Sequence, residues 1–169
     1  QGMVNFAFLA RALKNPAGFA SNANFQDATG PLFDNSDVFY DGNSQGGIMG
    51  GVVVASSPDV NRGALGSLGM NYSTLLRRSK DFDPYALPMY LAYQDAYDRN
   101  LALGLIQMLW DRSENDGYAQ ALRNTVGEKM ESNGSADNFV VLNTMFGDQQ
   151  VTMWSADVMA RTIGIPADY

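Results

Sequence analysis

Residues 37–55 are Asp37-Val-Phe-Tyr-Asp-Gly-Asn-Ser44-Gln-Gly46-Gly-Ile-Met-Gly50-Gly51-Val-Val-Val-Ala55. This pattern predicts a short apolar strand, a turn rich in Gly and Asn, and a helix of small residues. Inside it, Gly42-Asn43-Ser44-Gln45-Gly46 matches the G-x-S-x-G motif, in which a serine nucleophile stands on a sharp turn between a strand and a helix. We call residues 42–46 the elbow.

The residue types in the elbow have a chemical reason. A side chain two residues before or after the serine is expected to collide with the neighbouring backbone, and Gly42 and Gly46 have none. Glycine also tolerates the unusual φ and ψ angles of such a turn. The first turn of the following helix offers unpaired N–H groups, so the backbone N–H of Gln45 is the expected donor to an oxyanion.

The composition is that of a globular chain and excludes several classes of function. Of 169 residues, 46% are hydrophobic and 17% are charged, which is enough for a single domain with a sizeable core spanning residues 1–169. The net charge of -7 would repel a phosphate backbone, so a nucleic-acid partner is not expected. No apolar run reaches the roughly 18 residues of a membrane span.

The chain contains neither His nor Cys. Without Cys there are no disulfides and no thiolate metal ligands. The sequence also lacks the P-loop ending and the G-x-G-x-x-G spacing of nucleotide sites, so we expect no cofactor and no metal. A serine hydrolase needs an imidazole to accept the serine proton. The elbow is therefore either inert or served by a His outside residues 1–169.

Hydrophobic periodicity predicts the remaining elements, and the strands joined by helical crossovers imply parallel pairing. The predicted helices span 2–14, 87–110 and 152–163, and the further predicted strands lie within 62–70 and 139–143. Residues 18–35, 71–85 and 111–137 are predicted to be mainly loops, the last around short helical pieces. The aromatic and Met stripe along 87–110 is expected to be core.

Asp148 follows the strand predicted at 139–143, in a Gly147-Asp148 turn. The carboxyl end of a parallel strand is where an acid that orients a catalytic His would lie, at the same sheet edge as the elbow. Asp beside Gly is also a common turn residue. The chain order of Ser44 before Asp148 favours the acid. Asp111 and Asp116 are the competing candidates.

Several stretches resemble the α/β-hydrolase superfamily, and more narrowly a little-characterised bacterial group within it. They are Tyr40-Asp-Gly-Asn-Ser-Gln-Gly-Gly-Ile-Met-Gly-Gly51, Gly69-Met-Asn-Tyr-Ser-Thr-Leu-Leu-Arg-Arg-Ser79, Gln107-Met-Leu-Trp-Asp-Arg112 and Ala160-Arg-Thr-Ile-Gly164. The similarity covers most of the chain, but only the elbow and the Gly147-Asp148 turn carry transferable roles. In that group a His often follows the Asp, whereas this chain has Gln149.

The resemblance implies a partial α/β-hydrolase fold: a mostly parallel sheet with flanking helices, and a helical insertion or lid at 71–137 before the strand that carries the acid. The first strands, the last strand and the catalytic His are then expected outside these residues. By the same resemblance, Ser44 attacks the acyl carbonyl of a small ester substrate, the Gln45 N–H holds the oxyanion, and Asp148 orients the His.

Two other functions remain open from the sequence. The chain could be a non-catalytic binding module that keeps the elbow without a base. It could also be an α/β domain that binds a phosphate or nucleotide at the N-terminus of the helix after Ser44.

Overall fold

The computed structural model describes residues 1–122 and 138–165. Its α-helices are α1 (Gly2–Lys14), α2 (Gln45–Ser56), α3 (Tyr72–Leu75), α4 (Asp83–Ala92), α5 (Ala96–Trp110) and α6 (Met153–Ile163). Its strands are β1 (Gln26–Asp27), β2 (Gly30–Pro31), β3 (Val38–Asn43), β4 (Val60–Gly66) and β5 (Phe139–Asn143).

The main sheet has the order β3-β4-β5, and both pairs are parallel. Helix α2 makes the crossover from β3 to β4, and a helical segment separates β4 from β5. The predicted α/β class with a parallel sheet and flanking helices is therefore confirmed. The loop predicted at 18–35 is more structured than expected, because β1 and β2 pair there as a short antiparallel hairpin.

The core lies between one face of this sheet and the helices α1, α2 and α6. Val54 of α2, Leu65 of β4 and Met159 of α6 are completely buried in one hydrophobic cluster. Burial alternates along β3 and β5, as expected for strands that pack on one face only. The opposite face presents Phe39 and Phe139, each with about 60% of its surface exposed, so the core-facing side alone is covered among the described residues.

Helix α2 approaches the sheet closely because it lacks side chains at the contact. A Cβ added to Gly47 would lie 2.2 Å from the carbonyl oxygen of Gly66, and one added to Gly50 would lie 2.2 Å from the ring of Tyr40. Glycine costs about 1 kcal/mol relative to alanine in a helix interior. The packing reason expected for the glycines of this helix is present at Gly47 and Gly50.

The single helix predicted at 87–110 is wrong, because the chain breaks between α4 and α5. The side chain of Asp95 accepts a hydrogen bond from the Tyr97 N–H and caps the start of α5. The aromatic and Met stripe predicted along 87–110 is also not part of the core. The exposed fraction is 85% for Tyr97 and 66% for Met108, and the side of α5 that packs inward carries Leu103 instead.

Other predicted boundaries also shift. Strand β4 ends at Gly66 and not near residue 70, since Ser67 takes a φ of 42° and turns the chain. Residues 71–85, predicted to be irregular, form α3, two short 3-10 turns and the start of α4. The segment from 72 to 122 is thus mostly helical, and residues 123–137 of the 71–137 insertion or lid expected from the resemblance lie outside the described residues.

No helix in the described ranges combines the length and apolar character needed to cross a membrane.

Candidate functional site

Ser44 stands between β3 and α2 in a strained backbone conformation. Its φ and ψ angles are 57° and -121°, and a positive φ is uncommon for any residue other than glycine. Two hydrogen bonds hold it there: its N–H donates to the carbonyl of Gly66 at 2.9 Å, and its carbonyl accepts from the N–H of Ile48 at 2.9 Å. Such a conformation costs on the order of 1–3 kcal/mol and persists where the surroundings enforce it.

The hydroxyl of Ser44 is not used to cap the helix that follows. A serine at this position usually accepts a hydrogen bond from an N–H in the first turn, but Ser44 makes no such bond, and the residue is exposed. The N–H groups of Gln45 and Gly46 have no acceptor within their own helix. An accessible hydroxyl thus lies beside backbone donors that could stabilise a negatively charged oxygen.

The two elbow glycines differ in what surrounds them. A Cβ at Gly42 would lie 2.6 Å from the backbone carbonyl oxygen of Gly46, so a side chain there would collide as expected. A Cβ at Gly46 would meet only the Tyr40 hydroxyl, at 3.6 Å, which is ordinary van der Waals contact. The predicted collision at Gly46 is therefore wrong among the described residues, and close approach of α2 to the sheet is provided by Gly47 instead.

Tyr40 braces the elbow from the strand side. Its hydroxyl donates to the carbonyl of Gly46 at 2.8 Å, and the ring lies under the Gly50 position. Burial, assisted by the negative charge of Asp41, raises the pKa of the Tyr40 hydroxyl, so it remains a donor throughout the neutral range. In the sequence, Tyr40 stands out only through the family resemblance, and its position six residues before Gly46 is the pattern that points to this contact.

Asp148 lies in the loop after β5, preceded by Gly147 with a φ of 76°. One carboxylate oxygen, Oδ1, accepts from the N–H of Gln150 at 2.8 Å and of Val151 at 3.0 Å. These are the contacts of a turn residue, which was the alternative interpretation. They leave the other oxygen, Oδ2, without a hydrogen-bond donor in the described part of the chain.

The register of the sheet brings the chain that follows β3 and the chain that follows β5 to the same edge. Asn43, Gly66 and Asn143 are aligned at the carboxyl ends of the three strands. Strands in a sheet are spaced about 4.8 Å apart, so Asn43 and Asn143 are separated by roughly 10 Å. Ser44 comes directly after Asn43, and Asp148 lies five residues beyond Asn143.

The competing acids belong to a different cluster. One carboxylate oxygen from each of Asp111, Glu114 and Asp116 lies within 4.8 Å of the others, a spacing that could suit a divalent cation. However, Nε2 of Gln107 lies within hydrogen-bond distance of all three, at 2.6, 2.6 and 3.4 Å respectively. Burial, followed by repulsion from Glu114 and Asp111, raises the pKa of Asp116 to about 6.

A cavity of about 650 Å³ lies on the exposed face of the sheet. Phe39, Phe139 and Val141 line it, and the guanidinium of Arg62 lies 6.0 Å and 5.7 Å from the centres of the two phenyl rings. Neither Ser44 nor Asp148 is among its lining residues. The described lining therefore does not include residues 42–46 of the elbow, although it includes Tyr40, which contacts the elbow from the strand.

Comparison of the chain with models of protein families, with curated proteins and with solved structures finds no match.

Proposed function

We propose that this chain is the nucleophile-bearing part of a serine hydrolase that cleaves carboxylic esters through an acyl-enzyme on Ser44. The observation that carries the proposal is the conformation of Ser44, with a φ of 57° at the tip between a parallel strand and a helix. A strained, exposed serine whose hydroxyl forgoes helix capping is expected where that hydroxyl must reach a substrate.

In the proposed reaction, Ser44 Oγ forms a bond to the acyl carbon, and its proton passes to an imidazole outside residues 1–169. The carbonyl oxygen becomes an oxyanion and accepts a hydrogen bond from the Gln45 N–H. Collapse of this intermediate expels the alcohol, which takes the proton from the imidazole. Water then attacks the acyl-enzyme by the same route and releases the carboxylic acid.

Asp148 is proposed as the acid that orients this imidazole. The sheet register supports the assignment, because it brings the chain after β5 to the same edge as Ser44. Oδ1 is held by the N–H groups of Gln150 and Val151, so the carboxylate has a fixed direction. Oδ2 can accept from an imidazole Nδ1–H, which would keep that ring in the tautomer that accepts the serine proton.

Hydrolysis of short-chain p-nitrophenyl esters tests the proposed activity. The full-length product of the source gene should turn these esters over, and Ser44→Ala should reduce kcat to the background rate. Residues 1–169 alone, without any His, should show negligible turnover because a triad without its base loses most of its rate. Turnover at an ordinary enzymatic rate by residues 1–169, abolished by Ser44→Ala, would contradict the role of an external imidazole.

The variant Asp148→Asn tests the acid. Asparagine keeps an oxygen that can accept from Gln150 and Val151, so the turn should remain folded while kcat falls by several orders of magnitude. The matched comparison is Asp111→Asn or Asp116→Asn in the carboxylate cluster, for which we expect kcat near that of the wild type. If Asp148→Asn remained active while Asp116→Asn was inactive, the assignment of the acid to Asp148 would be wrong.

The two other functional classes predict different results in the same assay. A binding module would give no turnover even with the full-length protein. A phosphate-binding domain would give no turnover, while inorganic phosphate would protect α2 from amide exchange. Either outcome would overturn the hydrolase proposal.

A further inference from the structure

Helix α2 is intrinsically weak at the end that matters for Ser44. Four of its first seven residues are glycine, and each lowers helix stability by about 1 kcal/mol relative to alanine. A nucleophile at the N-cap needs a geometry fixed to within roughly 0.5 Å. Interactions from outside the helix must therefore hold its first two turns.

Asn115, in the loop after α5, supplies such an interaction with a completely buried carboxamide. Its Nδ2 donates to the carbonyl of Gly47 at 2.9 Å, and its Oδ1 accepts from the N–H of Gly51 at 2.9 Å. In a regular helix these two backbone groups pair with each other. The side chain thus binds the backbone of α2 at Gly47 and Gly51, where no Cβ blocks its approach.

The same carboxamide ties α2 to the segment after β4. Nδ2 also lies 3.2 Å from the carbonyl oxygen of Gly69. Gly47 is itself the residue at which α2 contacts the end of β4, since its position leaves no room for a Cβ beside the Gly66 carbonyl. Asn115 therefore joins the segment just after β4 to the first two turns of the helix that follows Ser44.

Asn115 is in turn fixed by its neighbour Glu114, whose carboxylate is also completely buried. Glu114 accepts from the backbone N–H groups of Asn71, Tyr72 and Asp116 at 3.3, 3.1 and 2.9 Å, and from Gln107 Nε2 at 2.6 Å. A carboxylate with four donors is a rigid anchor. The loop therefore presents the carboxamide of Asn115 in one orientation.

We propose that Asn115 is a positioning residue for the Ser44 nucleophile, because its carboxamide ties the first two turns of α2 to the segment that follows β4. This inference rests on the proposed hydrolase function. Tyr40 and Asn115 together donate side-chain hydrogen bonds to the adjacent carbonyls of Gly46 and Gly47. Without that hold, the Ser44 hydroxyl and the Gln45 N–H lose their fixed relation, and a displacement of 1 Å in such a pair can cost about 100-fold in rate.

The test compares Asn115→Ala with Asn138→Ala in the full-length protein. Asn138 is 4% exposed and donates to the Ala121 carbonyl, so it controls for loss of a buried asparagine. We expect Asn115→Ala to lower kcat for p-nitrophenyl butyrate by about tenfold to 100-fold, with KM changed by less than about twofold. Asn138→Ala should lower the melting temperature and leave kcat near the wild-type value.

A second pair of variants keeps the test valid if Asn115→Ala does not fold. A Cβ at Gly51 would lie 2.3 Å from Asn115 Oδ1, whereas one at Gly104 on α5 has no neighbour within 4 Å. Gly51→Ala should therefore displace the carboxamide and lower kcat, and Gly104→Ala should not. Equal kcat values within each pair would overturn the inference.

Amide hydrogen exchange separates this inference from the proposed function. In Asn115→Ala, protection of residues 45–51 should decrease relative to Asn138→Ala, whether or not the protein hydrolyses esters. If the wild type has no esterase activity but this loss is seen, the hydrolase proposal fails and the hold on α2 stands. If exchange of residues 45–51 is unchanged, Asn115 does not position the helix.

Discussion

At Ser44 the backbone angles oppose folding while the surrounding hydrogen bonds favour it. The positive φ of 57° is maintained because the Ser44 N–H and carbonyl both have partners, in Gly66 and Ile48. A further contact, from the Tyr40 hydroxyl to the Gly46 carbonyl, acts on the first turn of α2. Local stability at the elbow therefore depends on a small number of identifiable hydrogen bonds.

Removal of the Tyr40 hydroxyl tests one of these bonds. We expect Tyr40→Phe to lower the free energy of unfolding by about 1 kcal/mol, since a half-buried carbonyl loses a donor. The control is Tyr118→Phe, because the Tyr118 hydroxyl donates to an exposed carbonyl at the longer distance of 3.3 Å; its effect should stay within about 0.5 kcal/mol. Urea denaturation measures both, and equal losses would show that the Tyr40 hydrogen bond does not stabilise the elbow.

The raised pKa of Asp116 predicts how the stability of the protein depends on pH. Its pKa of about 6 in the folded protein lies above the ordinary value of about 3.9, so the folded protein binds this proton more tightly than the unfolded chain. The resulting stabilisation is complete below about pH 4 and is lost as the pH rises through about 6. Because Asp116 is half-exposed, solvent screening reduces the effect to on the order of 1 kcal/mol.

Thermal unfolding measures this effect by comparing the wild type with Asp116→Asn. The melting temperature of the wild type, relative to that of the variant, should fall by about 2–4 °C between pH 4 and pH 6.5. Asp98→Asn, at an exposed position on α5, is the control and should keep the wild-type dependence. A constant difference between wild type and Asp116→Asn across this range would mean that the pKa of Asp116 is ordinary.

At the scale of elements, α2 is shaped by two requirements that conflict. A helix is more stable with alanine than with glycine, but close packing on β4 leaves no space for a Cβ at Gly47. The same bare backbone admits Asn115, which bonds to Gly47 and Gly51. The glycines of α2 therefore allow contacts that compensate for the helix stability they remove.

Alanine variants of two adjacent glycines, Gly46 and Gly47, distinguish helix propensity from close packing. We expect Gly47→Ala to lower the free energy of unfolding by about 2–3 kcal/mol, because its Cβ would overlap a backbone carbonyl that cannot move freely. Gly46→Ala, with its Cβ no closer than 3.6 Å to the Tyr40 hydroxyl, should change stability by no more than about 1 kcal/mol. Denaturant titration of both variants measures the contrast, and a Gly47→Ala variant as stable as Gly46→Ala would show that close packing does not require Gly47.

Local sequence signals located some elements accurately and others poorly. Helix α1 and strand β5 begin and end where periodicity placed them, because Asn15-Pro16 stops the helix and an uninterrupted apolar run defines the strand. The break between α4 and α5 was missed, since the cap from Asp95 was concealed within a continuous apolar pattern. The exposed stripe on α5 was likewise assigned to the core, because periodicity identifies an apolar face without indicating what covers it.

The residues of the candidate site also differ in whether the sequence alone can identify them. The motif singles out Ser44, Gln45 and Gly42 because the roles proposed for them depend on neighbours in the sequence. Asn115 forms hydrogen bonds with residues of α2 that are 64 or more positions away in the sequence, and no local sequence pattern predicts such a contact. Gly46 was assigned a steric role that the structure gives to Gly47, since which glycine meets the sheet depends on how α2 is rotated.

At the scale of the whole molecule, the parallel sheet brings segments that are distant in sequence to one edge. Its three strands end in register, so Ser44 and the loop of Asp148 leave the same edge. The Asp148 loop is also tied to the segment before α4, because the Lys80 N–H donates to the Gln149 carbonyl at 2.9 Å. In open parallel sheets, this carboxyl edge is where ligands usually bind.

Covalent trapping of the nucleophile tests the proposed role of Ser44 most directly. The full-length gene product would be treated with a fluorophosphonate, in which the serine oxygen bonds to phosphorus as fluoride leaves, and the labelled peptide identified by mass spectrometry. We predict a single adduct on Ser44 that is absent in Ser44→Ala and forms far more slowly in Asp148→Asn. Labelling of a different residue, or ester hydrolysis that persists at the wild-type rate in Ser44→Ala, would contradict the proposed mechanism.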